Sequence, residues 1–195
     1  MDAVKAVLNS RYFIWVLLGL PFVLMVGGYR SGEIFYGEVV HASGELSARL
    51  LIVAMAATPL RLMFPTAGWP QWLLRQRRYV GVAAFVYALL HTVVYLQKTG
   101  IVAEIVEEGL RFNMWTGWLG LLIFAALALT SNDVSVRYLK RTWRKLHRLV
   151  YPAAVLAFLH WIFIAFDYVP GLIHAGVLAL LEAYRVWKTT RSASA

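Results

Sequence analysis

Three histidines of this sequence stand within or beside strongly apolar stretches. His91 lies in ALLHTVVY (88–95), and the run LHRLVYPAAVLAFLH (146–160) carries His147 near one end and His160 at the other. Ionisable side chains in apolar segments of this kind are rare and are by default candidates for function. A neutral imidazole can bind a metal or move a proton near neutral pH. A six-coordinate haem requires two neutral imidazoles that face each other at one depth, because the porphyrin supplies the other four nitrogens.

The elements that carry these histidines are predicted to be transmembrane helices. The chain has 195 residues, 61% of them hydrophobic, whereas soluble proteins contain about 45–50% apolar residues. Apolar stretches of about 20 residues, the length that crosses a bilayer as a helix, recur along the chain. They predict an all-α membrane protein, a six-transmembrane-helix bundle that forms a single domain over residues 1–195. The predicted helices cover about 12–29, 46–64, 79–97, 113–130, 147–166 and 172–187.

The distribution of charge predicts the orientation of the bundle. Fifteen of the 19 basic residues fall on the side of the two termini, and most of the acidic residues fall on the other side. By the positive-inside rule, both termini are cytoplasmic. We therefore attribute the net charge of +9 to the basic cytoplasmic side of the bundle and to its attraction to anionic membrane lipid, and not to nucleic-acid binding. The absence of cysteine excludes disulfides and thiol ligands within the chain.

His91 and His160 are predicted to lie at the same depth. His91 is twelve positions after Tyr79 and His160 is thirteen after His147, and these two residues start the third and fifth predicted helices. Both helices run outwards, so at ~1.5 Å per residue each histidine lies roughly 18–20 Å from the cytoplasmic helix start. This match favours a non-covalent haem b between them. The alternative for either histidine alone is a packing residue with a hydrogen bond. A zinc site would need three or four ligands, and the sequence offers no such set at this depth.

His147, at the cytoplasmic edge, is predicted not to ligate a second bis-histidine haem. The residue at matching depth on the third helix is Arg77, fourteen positions before His91, and arginine cannot ligate iron. We predict that His147 serves the side where electrons enter, near a quinone or flavin, by moving a proton. The alternative is an interfacial histidine that only caps its helix or bonds a neighbour. His41 and His174 begin the second and sixth helices and are predicted to be interfacial or hydrogen-bonded.

Arginines on both sides are candidates for binding anionic groups. Arg49 lies on the outer part of the second helix, where a lone cation is costly. It could bind a haem propionate with two hydrogen bonds, or it could pair with Glu45 four positions earlier. On the cytoplasmic side Arg77 and Arg78, with Arg75, could hold a phosphate, or they could simply follow the positive-inside rule.

Several short strings occur in a fixed order along most of the chain. They are HASG at 41–44, ATPL at 57–60, RRYVG at 77–81, ALLHTVVY at 88–95, LALTS at 127–131, and LHRLVY ending at Tyr151, followed by His160. With six helices and histidines on the third and fifth, they resemble the ferric-reductase-like transmembrane superfamily, which includes the STEAP and NADPH-oxidase proteins. The closer resemblance is to the MsrQ family, also called YedZ, the haem-binding membrane subunits of the periplasmic methionine sulfoxide reductase system. Each string is weak alone, and their order and spacing carry the resemblance.

The resemblance implies a haem b-containing electron-transfer subunit in the bacterial cell inner membrane. Such a subunit passes electrons from the quinone pool, or from a cytoplasmic flavin reductase, to a periplasmic molybdopterin-containing methionine sulfoxide reductase. FMN is a second cofactor that only the resemblance implies. Matching motifs carry haem ligation onto His91 and His160 and leave His147 as a third functional histidine. Two alternatives stay open: a transmembrane haem metal-ion reductase, and a non-redox transporter whose histidines relay protons or bind a metal ion.

Overall fold

The computed structural model describes residues 7, 10–100, 102–109 and 111–193, and all regular structure within these residues is helical. Short connections join helices of very different lengths. The helices are α1 (Arg11–Ser31), α2 (Tyr36–Met63), α3 (Gly68–Thr99), α4 (Val102–Gly109), α5 (Phe112–Leu129), α6 (Asp133–His147), α7 (Val150–Ile164) and α8 (Val169–Ala193).

The number of membrane crossings agrees with the prediction. Within the described ranges, α1, α2, α3, α5 and α8 are each long and apolar enough to span a bilayer. The helices α6 and α7, which are bent by 45° at a short break, meet the same criteria together and make a sixth span if the pair is one crossing. α6 is rich in basic residues whereas α7 is almost entirely apolar, so the apolar part of this span is α7. The prediction of an all-α, multi-pass membrane bundle is confirmed, and the cytoplasmic position of the termini stays a prediction.

Several helix ends lie outside the predicted bounds. α2 begins ten residues before its predicted start, and α3 begins at Gly68, so that the predicted loop 64–78 shrinks to 64–67. Pro70 falls in the first turn of α3, where its missing N–H costs no helical hydrogen bond. The predicted loop between the fourth and fifth helices is the polar helix α6, and α7 starts at Val150 instead of 147. Hydropathy detects the part of a helix that suits lipid, whereas the hydrogen-bonded helix continues into the aqueous layer.

The sequence makes two further predictions outside the spans: a short surface helix within KTGIVAEIVEEGLRFN (98–113), from apolar residues at helical spacing, and an unstructured tail TTRSASA. α4 confirms a short helix on the segment 98–113, although Ile101 and the side chains of Val102 and Ile105 lie outside the described part of the chain. The tail TTRSASA, predicted to be unstructured, is helical over 189–193. There the hydroxyls of Thr189 and Ser192 donate to backbone carbonyls one turn earlier, so both hydroxyls are hydrogen-bonded within the helix.

The core of the bundle is centred on α2. This helix packs along α3 and also contacts α7 and α8. Small residues let the backbones approach closely, and the Oγ of Ser47 donates to the carbonyl of Ala84 across the α2–α3 contact at 2.7 Å. Larger side chains from all the surrounding spans complete the packing. The buried core consists of Ala48, Leu51, Met55, Ala84, Phe124, Ala153, Ala154, Phe158 and Leu178.

Candidate functional site

A cavity of about 580 Å³ opens between α2, α3, α5 and α7, at the end of the bundle where α3 ends. We call it the outer cavity, after its predicted side of the membrane. Cofactor sites in proteins commonly have volumes of about 300–1,000 Å³. His91 of α3 and His160 of α7 both line this cavity. The structure therefore brings together the two histidines that were expected at one depth.

The separation of the two imidazoles matches a shared metal. Their ring centres are 6.2 Å apart and their planes are 86° from parallel. An imidazole nitrogen lies ~2.0–2.1 Å from a metal that it binds and the ring centre lies ~1 Å further, so two rings on opposite sides of one metal have centres ~6 Å apart. Among the described residues, no group of three or more His, Cys, Asp or Glu could hold a metal ion. A metal between these rings would take its remaining ligands from other groups, as a haem iron takes four nitrogens from its porphyrin.

Both histidines are oriented by backbone carbonyls. Nδ1 of His91 lies 2.8 Å from the carbonyl oxygen of Val40, and Nδ1 of His160 lies 3.0 Å from that of Asn113. A carbonyl oxygen only accepts, so each Nδ1 carries the proton and each Nε2 keeps its lone pair. This is the arrangement that metal-binding histidines commonly have. The sequence could not indicate these partners, because a backbone carbonyl has no side-chain signature.

Two glycines make room for the imidazoles. A Cβ on Gly44 of α2 would lie 2.9 Å from Nδ1 of His91, and a Cβ on Gly117 of α5 would lie 2.6 Å from Cε1 of His160. Both distances are shorter than ordinary contacts of ~3.5–4.0 Å. Any side chain at either position would displace the imidazole. Gly44 ends the string HASG, whereas nothing in the sequence singled out Gly117.

Polar groups from three helices surround the mouth of the outer cavity. Tyr95 of α3 donates a 2.6 Å hydrogen bond to Glu108 of α4, which ties this short helix to the bundle. His41 is 66% exposed, and its Nε2 lies 3.9 Å from a carboxylate oxygen of Glu45. Arg111, which precedes α5, also lines the cavity. Sequence reasoning missed Arg111, a cation placed where the acidic groups of a bound cofactor could reach it.

Arg49 pairs with Glu45, the alternative to a haem propionate that the sequence offered. Its Nη2 donates to Glu45 at 2.5 Å across one turn of α2. Glu45 lines the outer cavity and Arg49 does not. A role for Arg49 in binding a propionate stays a prediction, and it would require the Glu45 pair to rearrange.

A second cavity, of about 520 Å³, lies at the opposite end of the bundle. We call it the inner cavity. Besides His147 it is lined by the aromatic residues Trp143 and Tyr151 and by a set of arginines, which suits an anionic group. Arg78 also donates to Asp133 at 2.6 Å. The arginines that line the inner cavity are Arg75, Arg77, Arg78, Arg144 and Arg148.

His147 is held by two neighbours at the edge of the inner cavity. Its Nε2 lies 3.1 Å from Oγ1 of Thr130, and its ring stacks on Trp143 with centres 3.9 Å apart. Because α6 ends at His147 and the chain bends before α7, an ideal helix does not describe its relation to His160. His174 bonds the carbonyl of Pro170 through Nδ1 at 2.7 Å, as predicted for a hydrogen-bonded histidine.

The helical membrane bundle is that of a ferric-reductase-like membrane protein. Residues 43–158 match the family described as ferric reductase like transmembrane component. This segment contains His91 and His147, whereas His160 lies two positions beyond its end.

Comparison with curated proteins narrows the class. The chain is 39% identical to the protein-methionine-sulfoxide reductase heme-binding subunit MsrQ of Xanthomonas campestris pv. campestris (strain 8004), over 77% of this chain and 69% of that protein. It is 38% identical to MsrQ of Xanthomonas axonopodis pv. citri (strain 306), over 88% and 80% of the two chains. MsrQ of Rhodospirillum rubrum is 36% identical, over 93% and 89%. The chain belongs to the MsrQ family.

Proposed function

We propose that this protein is the haem-binding membrane subunit of a methionine sulfoxide reductase system in the bacterial inner membrane. His91 and His160 ligate one haem b in the outer cavity through their Nε2 atoms. The observation that carries the proposal is the 6.2 Å separation of the two rings, combined with carbonyl partners on both Nδ1 atoms. The name of the MsrQ relatives supports the same cofactor and the same system.

The residues around the outer cavity have distinct tasks in this proposal. Haem supplies an iron that accepts and gives one electron reversibly. The carbonyls of Val40 and Asn113 orient the ligands, and Gly44 and Gly117 leave space for them. Arg111 offers a cation to the propionates, with Arg49 as a second candidate. The open mouth of the cavity gives a periplasmic molybdopterin-containing methionine sulfoxide reductase subunit access to the haem edge.

The inner cavity is proposed as the site of the electron donor. Its arginines, including Arg77 and Arg78, fit the phosphate of FMN or another anionic group, and Trp143 and Tyr151 offer aromatic surfaces. A quinol, or the flavin of a cytoplasmic reductase, is the corresponding donor class. Phe124 lines both cavities, so its side chain lies between them. In this assignment His147 serves the donor, and the whole chain acts as one ferric-reductase-like domain.

The test is the visible spectrum of the purified protein. A low-spin b-type haem gives a Soret band that shifts on reduction and an α band that becomes sharp in the reduced form, whereas a transporter without haem gives neither. His91→Ala and His160→Ala should each abolish or greatly reduce bound haem. His174→Ala is the matched control, because His174 is a hydrogen-bonded histidine that does not line the outer cavity. Full low-spin haem in both ligand variants would reject the assignment.

A further inference from the structure

We propose that Thr130 fixes the tautomer of His147, so that Nδ1 of His147 is the proton acceptor of the inner cavity. The inference rests on the proposed role of that cavity as the electron-donor site. Thr130 follows the last residue of α5 and is its C-cap, and His147 is the last residue of α6. The contact between them joins the ends of two helices.

The hydrogen bonds of the Thr130 hydroxyl decide the tautomer. Its Oγ1 donates to the carbonyl oxygen of Ala126 at 2.7 Å. A hydroxyl has one hydrogen, so with that hydrogen committed the oxygen can only accept from His147. The contact with Ala126 is the shorter of the two, so we assign the hydroxyl hydrogen to it, and Nε2 of His147, 3.1 Å away, is then the protonated nitrogen. The lone pair of the neutral ring is left on Nδ1, which has no hydrogen bond among the described residues.

Trp143 holds the ring in this position. Its indole stacks on the imidazole at an angle of 25°, and its Nε1 donates to the carbonyl oxygen of Thr130 at 2.9 Å. Thr130 thus binds both aromatic residues, one through its side chain and one through its backbone. Rotation of the imidazole would break the bond to Thr130 and also the stacking on Trp143.

The arrangement is the reverse of that in the outer cavity. His91 and His160 bond carbonyls through Nδ1 and keep Nε2 free, whereas His147 bonds through Nε2. Nδ1 is adjacent to the ring carbon that carries the side chain, so a flat porphyrin cannot approach it as easily as it approaches Nε2. The geometry suits His147 to proton transfer and not to haem ligation.

Before the step His147 is neutral, because its partial burial and the positive charges of Arg77 and Arg78 on α3 disfavour an imidazolium. The imidazolium that forms when His147 accepts a proton therefore releases that proton readily. In the proposed step, an O–H or N–H bond of a donor in the cavity breaks and its electron pair stays on the donor atom. The proton forms the Nδ1–H bond of an imidazolium. The charged and titratable groups that line the cavity with His147 are Arg75, Arg77, Arg78, Arg144, Arg148 and Tyr151.

The first test measures the tautomer directly. Full-length protein with ¹⁵N-labelled histidine is compared in lipid bilayers as wild type, Thr130→Val and Thr130→Ser, and the His147 signals are identified by their loss in His147→Gln. We expect wild type and Thr130→Ser to show mainly the Nε2–H form. In Thr130→Val the ratio of Nε2–H to Nδ1–H should fall about fivefold to tenfold, the effect of one neutral hydrogen bond. A mainly Nδ1–H wild type, or an unchanged ratio in Thr130→Val, would overturn the inference.

The second test measures the consequence for electron transfer. Reduced FMN is mixed with the oxidised protein between pH 6 and 9, and haem reduction is followed at the α band. We expect Thr130→Val to slow reduction about tenfold with unchanged haem content, and Thr130→Ser to restore most of the rate. An unchanged rate in Thr130→Val would remove the proton-acceptor role. A wild-type protein without haem would contradict the proposed function. The tautomer ratio of His147 does not depend on haem, so it tests the role of Thr130 whether or not haem is bound.

Discussion

Replacement of Gly117 by alanine should remove haem from the outer cavity without damaging the helix. The new Cβ would lie 2.6 Å from Cε1 of His160, and an ordinary carbon–carbon contact is ~3.5–4.0 Å. The imidazole must therefore move by about 1 Å. Metal–ligand distances in real sites stay within about 0.2 Å of their usual values, so a displacement of that size breaks an iron–nitrogen bond or forces the haem to follow.

The same substitution should stabilise the helix α5 itself. Alanine is favoured over glycine in a helix interior by about 0.5–1 kcal/mol, so loss of haem in Gly117→Ala cannot be attributed to a weaker α5. Gly19→Ala in α1 is the control, because nothing lies within 4 Å of a Cβ at that position. Gly44→Ala should have an intermediate effect, since its Cβ would be 2.9 Å from Nδ1 of His91.

The assay is the ratio of haem to protein, measured as the pyridine haemochrome, together with the spectrum of the oxidised form. We expect near-complete loss of haem, or conversion to a high-spin spectrum, in Gly117→Ala and full retention in Gly19→Ala. A Gly117→Ala protein with a full complement of low-spin haem would refute the close packing of glycine against the ligand.

Three further predictions concern other contacts. Arg111→Gln should lower the midpoint potential of the haem, because a nearby cation stabilises the reduced state; if Arg49→Gln changes neither haem content nor potential, the propionate role of Arg49 is wrong. His147→Ala should keep the spectrum of the outer haem but slow its reduction by quinol or reduced flavin. If the wild type instead holds two haems per chain and His147→Ala holds one, His147 ligates an inner haem and this prediction is wrong. Ser47→Ala should lower the unfolding free energy by about 0.6 kcal/mol, the typical value of an interhelical hydrogen bond in a membrane, as measured by thermal unfolding.

The sequence alone determined the class of fold and the two principal histidines. Hydropathy reports the solvent that a segment prefers, so 20-residue apolar stretches identify the spans. The constant rise of a helix then converts residue numbers into depth, which is why the spacing along the chain was enough to pair His91 with His160. Hydropathy could not identify the helix ends at Tyr36 and Gly68, because a helix does not stop where the lipid stops.

Only the tertiary structure decided how each histidine is used. Which imidazole nitrogen is free depends on partners from other helices: the carbonyls of Val40 and Asn113 for the outer pair, and the hydroxyl of Thr130 for His147. The need for glycine at 117 likewise arises from a ring on α7 that is far away in sequence. Such contacts depend on the rotation and closeness of packed helices, which periodicity along one chain does not encode.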